Sequence, residues 1–213
     1  MSSSEFISVS EHAGGMEIRL QRPERKNALT HERYSAMTAA LAAADNTPAI
    51  RVVLITGTQD CFTAGNDMVD FLNNPPSGGD APVMRFLAQL VEMEKPIIAA
   101  VNGPAGGVGT TMLLHCDLVY VAHSAKLQMP FVNLGLCPEA ASSYLLPVSM
   151  RNQRAAESLL LGETIDGDKA VTLGIANAVF AEDEYLQAAR AKAQQLALQP
   201  AASVRLTKRL LKS

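Results

Sequence analysis

The chain has 213 residues, 48% of them hydrophobic and 18% charged, a balance that suits one globular unit with a sizeable core and excludes a disordered chain. Its formal net charge is −3, and the 18 Lys and Arg residues form no long basic run, so nucleic acid is not the expected partner. Cys61, Cys116 and Cys137 are odd in number and lack metal-ligand spacing, which excludes a disulfide scaffold and fits reduced thiols in the cytoplasm.

The polar start from Met1 to Phe6 lacks the basic and apolar regions of a signal peptide. No apolar run reaches the roughly 18 residues of a spanning helix, and the final Leu-Lys-Ser is not a peroxisomal address. The sequence therefore predicts a cytoplasmic protein with no membrane partner.

Along the chain, Phe6 to Ser10 and Met16 to Leu20 alternate apolar and polar residues around Gly14-Gly15, predicting a hairpin. Thr30 is placed to cap a helix that puts Tyr34, Met37 and Leu41 on one face and ends near Asp45 to Pro48. Arg51 to Thr56, Pro96 to Val101 and Leu118 to Ala122 are short continuous apolar runs, as expected for strands buried on both faces. Helical stretches separate them, which predicts an α/β architecture. Asn73 to Asp80 reads as a loop, too short to divide domains. From Glu139 onward the pattern is helical at Arg151 to Leu161, Asp166 to Leu173, Asp183 to Leu198 and Ala201 to Leu211, with a short strand at Ala178 to Phe180. No repeat of fixed period is found.

Two segments follow buried strands. Gly103 to Gly109 precedes a helical run from Thr110 to Cys116. Its spacing is neither G-x-G-x-x-G nor that of a P-loop, which leaves a helix start with free N–H groups that can meet an anion or polarise a carbonyl oxygen. Close helix–strand packing explains the glycines equally well. Phe62 to Asp67 lies at the edge where ligands bind in open α/β sheets, and a plain turn is its simpler reading. Together the two segments could converge on one oxygen.

Taken in order, these motifs resemble the crotonase superfamily of enoyl-CoA hydratases and isomerases. Arg22-Pro23-Glu24-Arg25-Lys26-Asn27-Ala28-Leu29 is similar to that family's first CoA loop. Phe62 to Met68 is similar to its first oxyanion-hole segment, and Ala99 to Gly109 to its second. The resemblance runs from about Phe6 to Lys212. It implies a ClpP-like spiral of repeated β-β-α units with a helical C-terminal part, residues 1–200 forming an acyl-CoA-binding core and residues 201–213 beginning a C-terminal helical segment. It also implies a homotrimer or a dimer of trimers. Thioester oxygen would be held by the backbone N–H groups of Asn66 and Val108. Arg25, Lys26, Ala28, Ala64, Gly65, Asp67, Met68 and Gly107 would contact the substrate, with coenzyme A as part of the substrate and neither cofactor nor metal required.

Family hydratases use two glutamates to activate water. Thr111 and Phe131 stand in their places, and neither is a general base near neutral pH. One carboxylate, Glu139, lies in a stretch similar to that of monofunctional peroxisomal-type Δ3,Δ2-enoyl-CoA isomerases, and is expected to shuttle a proton from C2 to C4. Pro138-Glu139 is also a common helix start, where the dipole would lower the acid's pKa unless burial against Phe131, Leu134 and Leu136 offset it. Both readings stay open at this point. Hydration, dienoyl-CoA isomerisation and catalytically silent acyl-CoA binding are the alternatives. The four histidines lack metal-site spacing. Ser142 and Ser143 read as early helix residues and Cys137 as a buried apolar side chain. Lys208, Arg209 and Lys212 are secondary candidates for the CoA phosphates.

Overall fold

The computed structural model describes residues 6–58 and 60–212; residues 1–5, which carry most of the polar start, and Ser213 lie outside that range. The expected hairpin is present as β1 (Ile7–His12) and β2 (Gly15–Leu20), paired antiparallel. Its turn is Ala13-Gly14 rather than Gly14-Gly15, with φ of 48° and 80°, the double positive φ of a tight right-twisting connection.

Three apolar runs follow as β3 (Val52–Thr56), β4 (Ile97–Val101) and, after the short β5 (Pro104–Gly106), β6 (Leu118–Ala122). Their order with β9 (Ala178–Phe180) gives a six-stranded sheet β1-β2-β3-β4-β6-β9, parallel throughout after the hairpin. A smaller sheet joins β5, β7 (Lys126–Gln128) and β8 (Ile165–Asp166). Single-residue bridges between Thr63 and Ala105 and between Leu29 and Asn66 carry its pairing pattern back to the earlier turns. Each turn of the chain thus gives one long strand to the large sheet and a short segment beside the small one. That is the expected spiral, and it repeats in geometry without repeating in sequence.

Both faces of the large sheet are covered, which explains the unbroken apolar runs. On one face Val53, Ile55, Ala99 and Val101 join a core with residues of α1 (His31–Asn46) and α3 (Pro82–Glu92). On the other, Val52, Leu54, Ile98, Ala100 and Tyr120 lie with Tyr185, Ala189 and Ala193 of α8 (Tyr185–Ala197). Each such fully buried aliphatic side chain contributes about 1.5–3 kcal/mol. In α1 the predicted face holds: Tyr34, Met37 and Leu41 are buried. Thr30 is the N-cap residue but its side chain makes no capping hydrogen bond; Asp70 Oδ2, from the later helix Met68–Asn73, accepts from His31 N at 2.8 Å instead.

The remaining helices are α2 (Met68–Asn73), α4 (Val108–Thr111), α5 (Ser142–Met150), α6 (Asn152–Leu161), α7 (Gly167–Thr172) and α9 (Ala201–Leu211). The helical run expected over Thr110 to Cys116 is split: α4 passes into a 3-10 turn, Met112–His115. Lys208, nearly buried, anchors α9 by donating to the Lys95 carbonyl at 2.7 Å and to Asp117 Oδ2 at 2.8 Å. Asp117 Oδ2 also accepts from Ile97 N at the start of β4, at 2.7 Å.

Candidate active site

The two glycine-containing segments run side by side. Thr63 N donates to the Pro104 carbonyl at 3.1 Å, and Gly106 N returns to the Thr63 carbonyl at 2.9 Å. They pack so closely that a Cβ at Gly65 would stand 2.5 Å from the Gly106 carbonyl oxygen, and one at Gly106 would stand 2.6 Å from that of Ala64. Gly65 also needs its φ of +93°, so glycine is required there on two counts.

Peptide planarity then sets where the N–H groups point. The Gly65 carbonyl accepts from Leu29 N at 2.8 Å, so the trans peptide aims the Asn66 N–H the opposite way, away from Leu29. The Gly107 carbonyl accepts from Thr110 N at 2.9 Å and Thr111 N at 3.0 Å, which turns the Val108 N–H outward from the start of α4. Four N–H groups around them are used: Ala64 N on the Lys26 carbonyl, Gly65 N on Thr63 Oγ1, Asp67 N on the Leu29 carbonyl, Gly107 N on the Gln128 carbonyl. Among the described residues, those of Asn66 and Val108 have no protein acceptor. A Cβ at Gly107 would meet nothing within 4 Å, so the space before Val108 is open.

Glu139 lies beyond α4 in sequence but is tied to it. Thr111, fully buried and one helical turn after Val108, donates its hydroxyl to Glu139 Oε1 at 2.7 Å. Burial pushes the Glu139 carboxyl above the ordinary carboxylate value of 4.5, and the Thr111 hydrogen bond offsets part of that rise. The helix-start reading of Glu139 is corrected: α5 begins only at Ser142. Ala140 and Ala141 both take left-handed φ, 53° and 54°, and this strained pair puts a turn between the carboxyl and the helix. Ser142 closes the turn, its N and Oγ donating to the Glu139 carbonyl at 2.9 and 2.6 Å. His115 Nε2 lies 2.9 Å from the Ala140 carbonyl oxygen, so α4 and its 3-10 extension hold both the Glu139 side chain and the backbone just after it.

Several expectations about surroundings change. Phe131 is buried, but Leu134 and Leu136 are 56% and 41% exposed, so they do not supply the desolvation. Cys137 is exposed and not a buried pocket side chain, because the coil from Gly135 to Glu139 runs over the surface. Ser142 and Ser143 open α5 as expected.

The first CoA-loop segment forms a 3-10 turn, Pro23–Arg25, followed by left-handed Lys26 and Asn27 with φ of 48° and 54°. Arg25 and Lys26 are exposed, whereas Ala28 is nearly buried. Asp67, read as a substrate contact, is committed elsewhere: it caps α2 through Val69 N and Asp70 N and pairs with Arg22 at 2.7 Å. Burial acts to raise its pKa, but the Arg22 hydrogen bond and the α2 N–H groups outweigh it and hold the carboxyl below its usual value. Met68 beside it is half exposed. The secondary phosphate candidates are also engaged: Lys208 with Asp117, Arg209 with Glu94 at 2.6 Å, and Lys212 with the Leu90 and Val91 carbonyls at 3.4 and 3.3 Å.

Two organising residues carried no signal of their own in the sequence. Asn27, fully buried, accepts from Arg22 N and donates to the carbonyls of Cys61 and Phe62, fastening the CoA-loop segment to the start of the first glycine segment. Tyr34 donates its hydroxyl to Asn66 Oδ1.

A family model described as enoyl-CoA hydratase/isomerase matches residues 10–213. Human enoyl-CoA delta isomerase 2 is 32% identical over 98% of this chain, which spans 54% of that protein, so the chain covers about half the length of that relative. The 1,2-epoxyphenylacetyl-CoA isomerase of Escherichia coli K12 is 34% identical over 98% of this chain and 82% of its own length. Among solved structures, OdaA of Pseudomonas aeruginosa superposes with a TM-score of 0.96 at 50% identity, over 98% of this chain and 85% of that one.

Proposed function

The chain belongs to the enoyl-CoA hydratase/isomerase family, and on that premise we propose that it moves the double bond of a 3-enoyl-CoA to C2. The thioester oxygen sits on the N–H groups of Asn66 and Val108. Glu139 takes a proton from C2, the electrons of that C–H bond pass into a dienolate whose charge rests on the thioester oxygen, and the same carboxyl returns a proton at C4. No water is added and no second base is needed. Two preorganised donors suit a charge that exists only during the reaction, and one such donor is worth about 2.7–4 kcal/mol. Arg25 and Lys26 meet the CoA phosphates, and the chain assembles as a trimer, which light scattering would test.

The observation that carries the reading is the Glu139 carboxyl itself. It is partly buried, raised in pKa, and held by Thr111, the residue that by the family resemblance stands in place of one of the two hydratase glutamates. A carboxylate whose pKa is raised above the ordinary value is the stronger base, which suits proton abstraction next to a thioester.

A second reading keeps the hole and the carboxyl but assigns a different acyl-CoA isomerisation. It is favoured by the fuller coverage of the 1,2-epoxyphenylacetyl-CoA isomerase. Incubation with 3-enoyl-CoA, 2-enoyl-CoA and 1,2-epoxyphenylacetyl-CoA, followed by mass spectrometry and ultraviolet absorbance, separates the outcomes. The leading reading expects a conjugated 2-enoyl product of unchanged mass. A product heavier by one water means hydration, and binding without turnover means a silent acyl-CoA binder; either overturns it.

A further inference from the structure

We propose that Tyr34 is a positioning residue for this reaction: its hydroxyl tethers the Asn66 side-chain carbonyl oxygen and so keeps it away from the charge that develops at the Asn66 N–H. The inference rests on the reading of Asn66 as a donor to the thioester oxygen.

Tyr34 is 2% exposed on α1, and its ring packs on the fully buried Phe86 of α3 with centroids 5.5 Å apart and planes tilted by 47°. A phenylalanine would meet those packing needs, so the hydroxyl has a separate purpose. A buried phenol needs a polar partner, and the partner is Asn66 Oδ1. The backbone of Asn66 is already bracketed by Leu29, which donates to the Gly65 carbonyl at 2.8 Å and accepts from Asp67 N at 2.9 Å. Those two bonds fix the flanking peptides and with them the direction of the Asn66 N–H; the Asn66 side-chain torsions are left free, and the tether fixes those.

The tether decides what that side chain presents. An untethered Asn66 amide could turn its carbonyl oxygen toward the site, where its lone pairs would repel the charge developing on the thioester oxygen. With Oδ1 engaged by Tyr34, only the N–H is presented. Burial, and after it the nearby Glu139 charge, raise the Tyr34 phenol well above its ordinary value, so the hydroxyl stays a donor over the working pH range.

The test is a double-mutant cycle of Tyr34→Phe and Asn66→Ala, which removes the tether from either end while leaving the backbone donor in place. One readout is steady-state kinetics with 3-enoyl-CoA. The other is the absorption of bound para-dimethylaminocinnamoyl-CoA, whose band moves to longer wavelength as its carbonyl oxygen is polarised. Losing a whole donor costs about 100- to 1,000-fold in kcat, and turning a carbonyl dipole against one is expected to cost about tenfold. Tyr34→Phe should lose about that much in kcat with KM within twofold and show a smaller red shift, and adding it to Asn66→Ala, where the carbonyl is gone, should cost nothing more. A wild-type kcat and red shift in Tyr34→Phe, or a Tyr34→Phe loss that persists in the double variant, overturns the inference alone. No red shift in the wild type overturns the donor reading and this inference with it.

Discussion

Thr111 Oγ1 donates to Glu139 Oε1 at 2.7 Å, and this bond ties the Glu139 carboxyl to the same short helix that begins with the Val108 N–H. A shift of α4 therefore moves the proposed base and one proposed oxyanion donor together. That coupling is why the placement of Glu139 outlasts the flexibility expected of a surface coil.

Replacing Glu139 with glutamine should stabilise the protein. Burial raises the folded-state pKa of Glu139 above 4.5, so between that value and the raised one the folded state holds more protons than the unfolded state. Stability falls as pH rises through this window and stays lower above it. The amide keeps an oxygen for Thr111 and has no charge to desolvate. Thermal melts should give Glu139→Gln the higher Tm at about pH 8, with the gap narrowing toward about pH 4; a gap that does not change with pH would refute the desolvation argument.

Thr111→Val should move the acid limb of the kcat/KM profile to higher pH. The threonine hydroxyl stabilises the ionised carboxylate and is what lowers its pKa against the effect of burial, while valine keeps the volume. A profile measured from about pH 5 to 9 checks this, and an unshifted limb would mean that Glu139 is not the group titrating.

Gly65→Ala and Gly107→Ala should differ in kind. At Gly65 the methyl group would collide with the Gly106 carbonyl at 2.5 Å and force the two segments apart, so kcat should fall by about 100-fold with far-ultraviolet circular dichroism unchanged. At Gly107 the methyl meets nothing, and only the positive φ of 51° is strained, at about 1–2 kcal/mol. Chemical denaturation and kinetics on both variants give the comparison.

The basic residues divide into two roles. Arg25→Ala and Lys26→Ala should each raise KM by about fivefold, the worth of about 1 kcal/mol of exposed charge pairing, and leave stability unchanged. Lys208→Ala should instead cost about 3 kcal/mol of stability by breaking a largely buried pair with Asp117, without raising KM. A raised KM in Lys208→Ala would return that residue to the CoA site.

The large sheet was legible because Val52 to Thr56, Ile97 to Val101 and Leu118 to Ala122 are continuous apolar runs with helices over both faces. The small sheet was not, because Pro104 to Gly106, Lys126 to Gln128 and Ile165-Asp166 are too short to show any period. In the site, the glycines marked the two segments, and the family resemblance singled out Asn66 and Val108 within them. Glu139 looked like a helix start because alanine gives no sign of the left-handed conformation that Ala140 and Ala141 adopt. Pairs such as Arg22 with Asp67, or Tyr34 with Asn66, join residues far apart in sequence, and only the folded geometry reveals that Asp67 caps α2 and braces Arg22.

The central claim is that one carboxyl, Glu139, carries the proton. Its most direct test is the initial rate of conjugated thioester formation from 3-enoyl-CoA by wild type and by Glu139→Gln, with acyl-CoA binding measured in parallel by calorimetry. The account predicts that the variant binds acyl-CoA as the wild type does and loses about 1,000-fold or more in kcat; a Glu139→Gln enzyme that turns over within tenfold of wild type would contradict it.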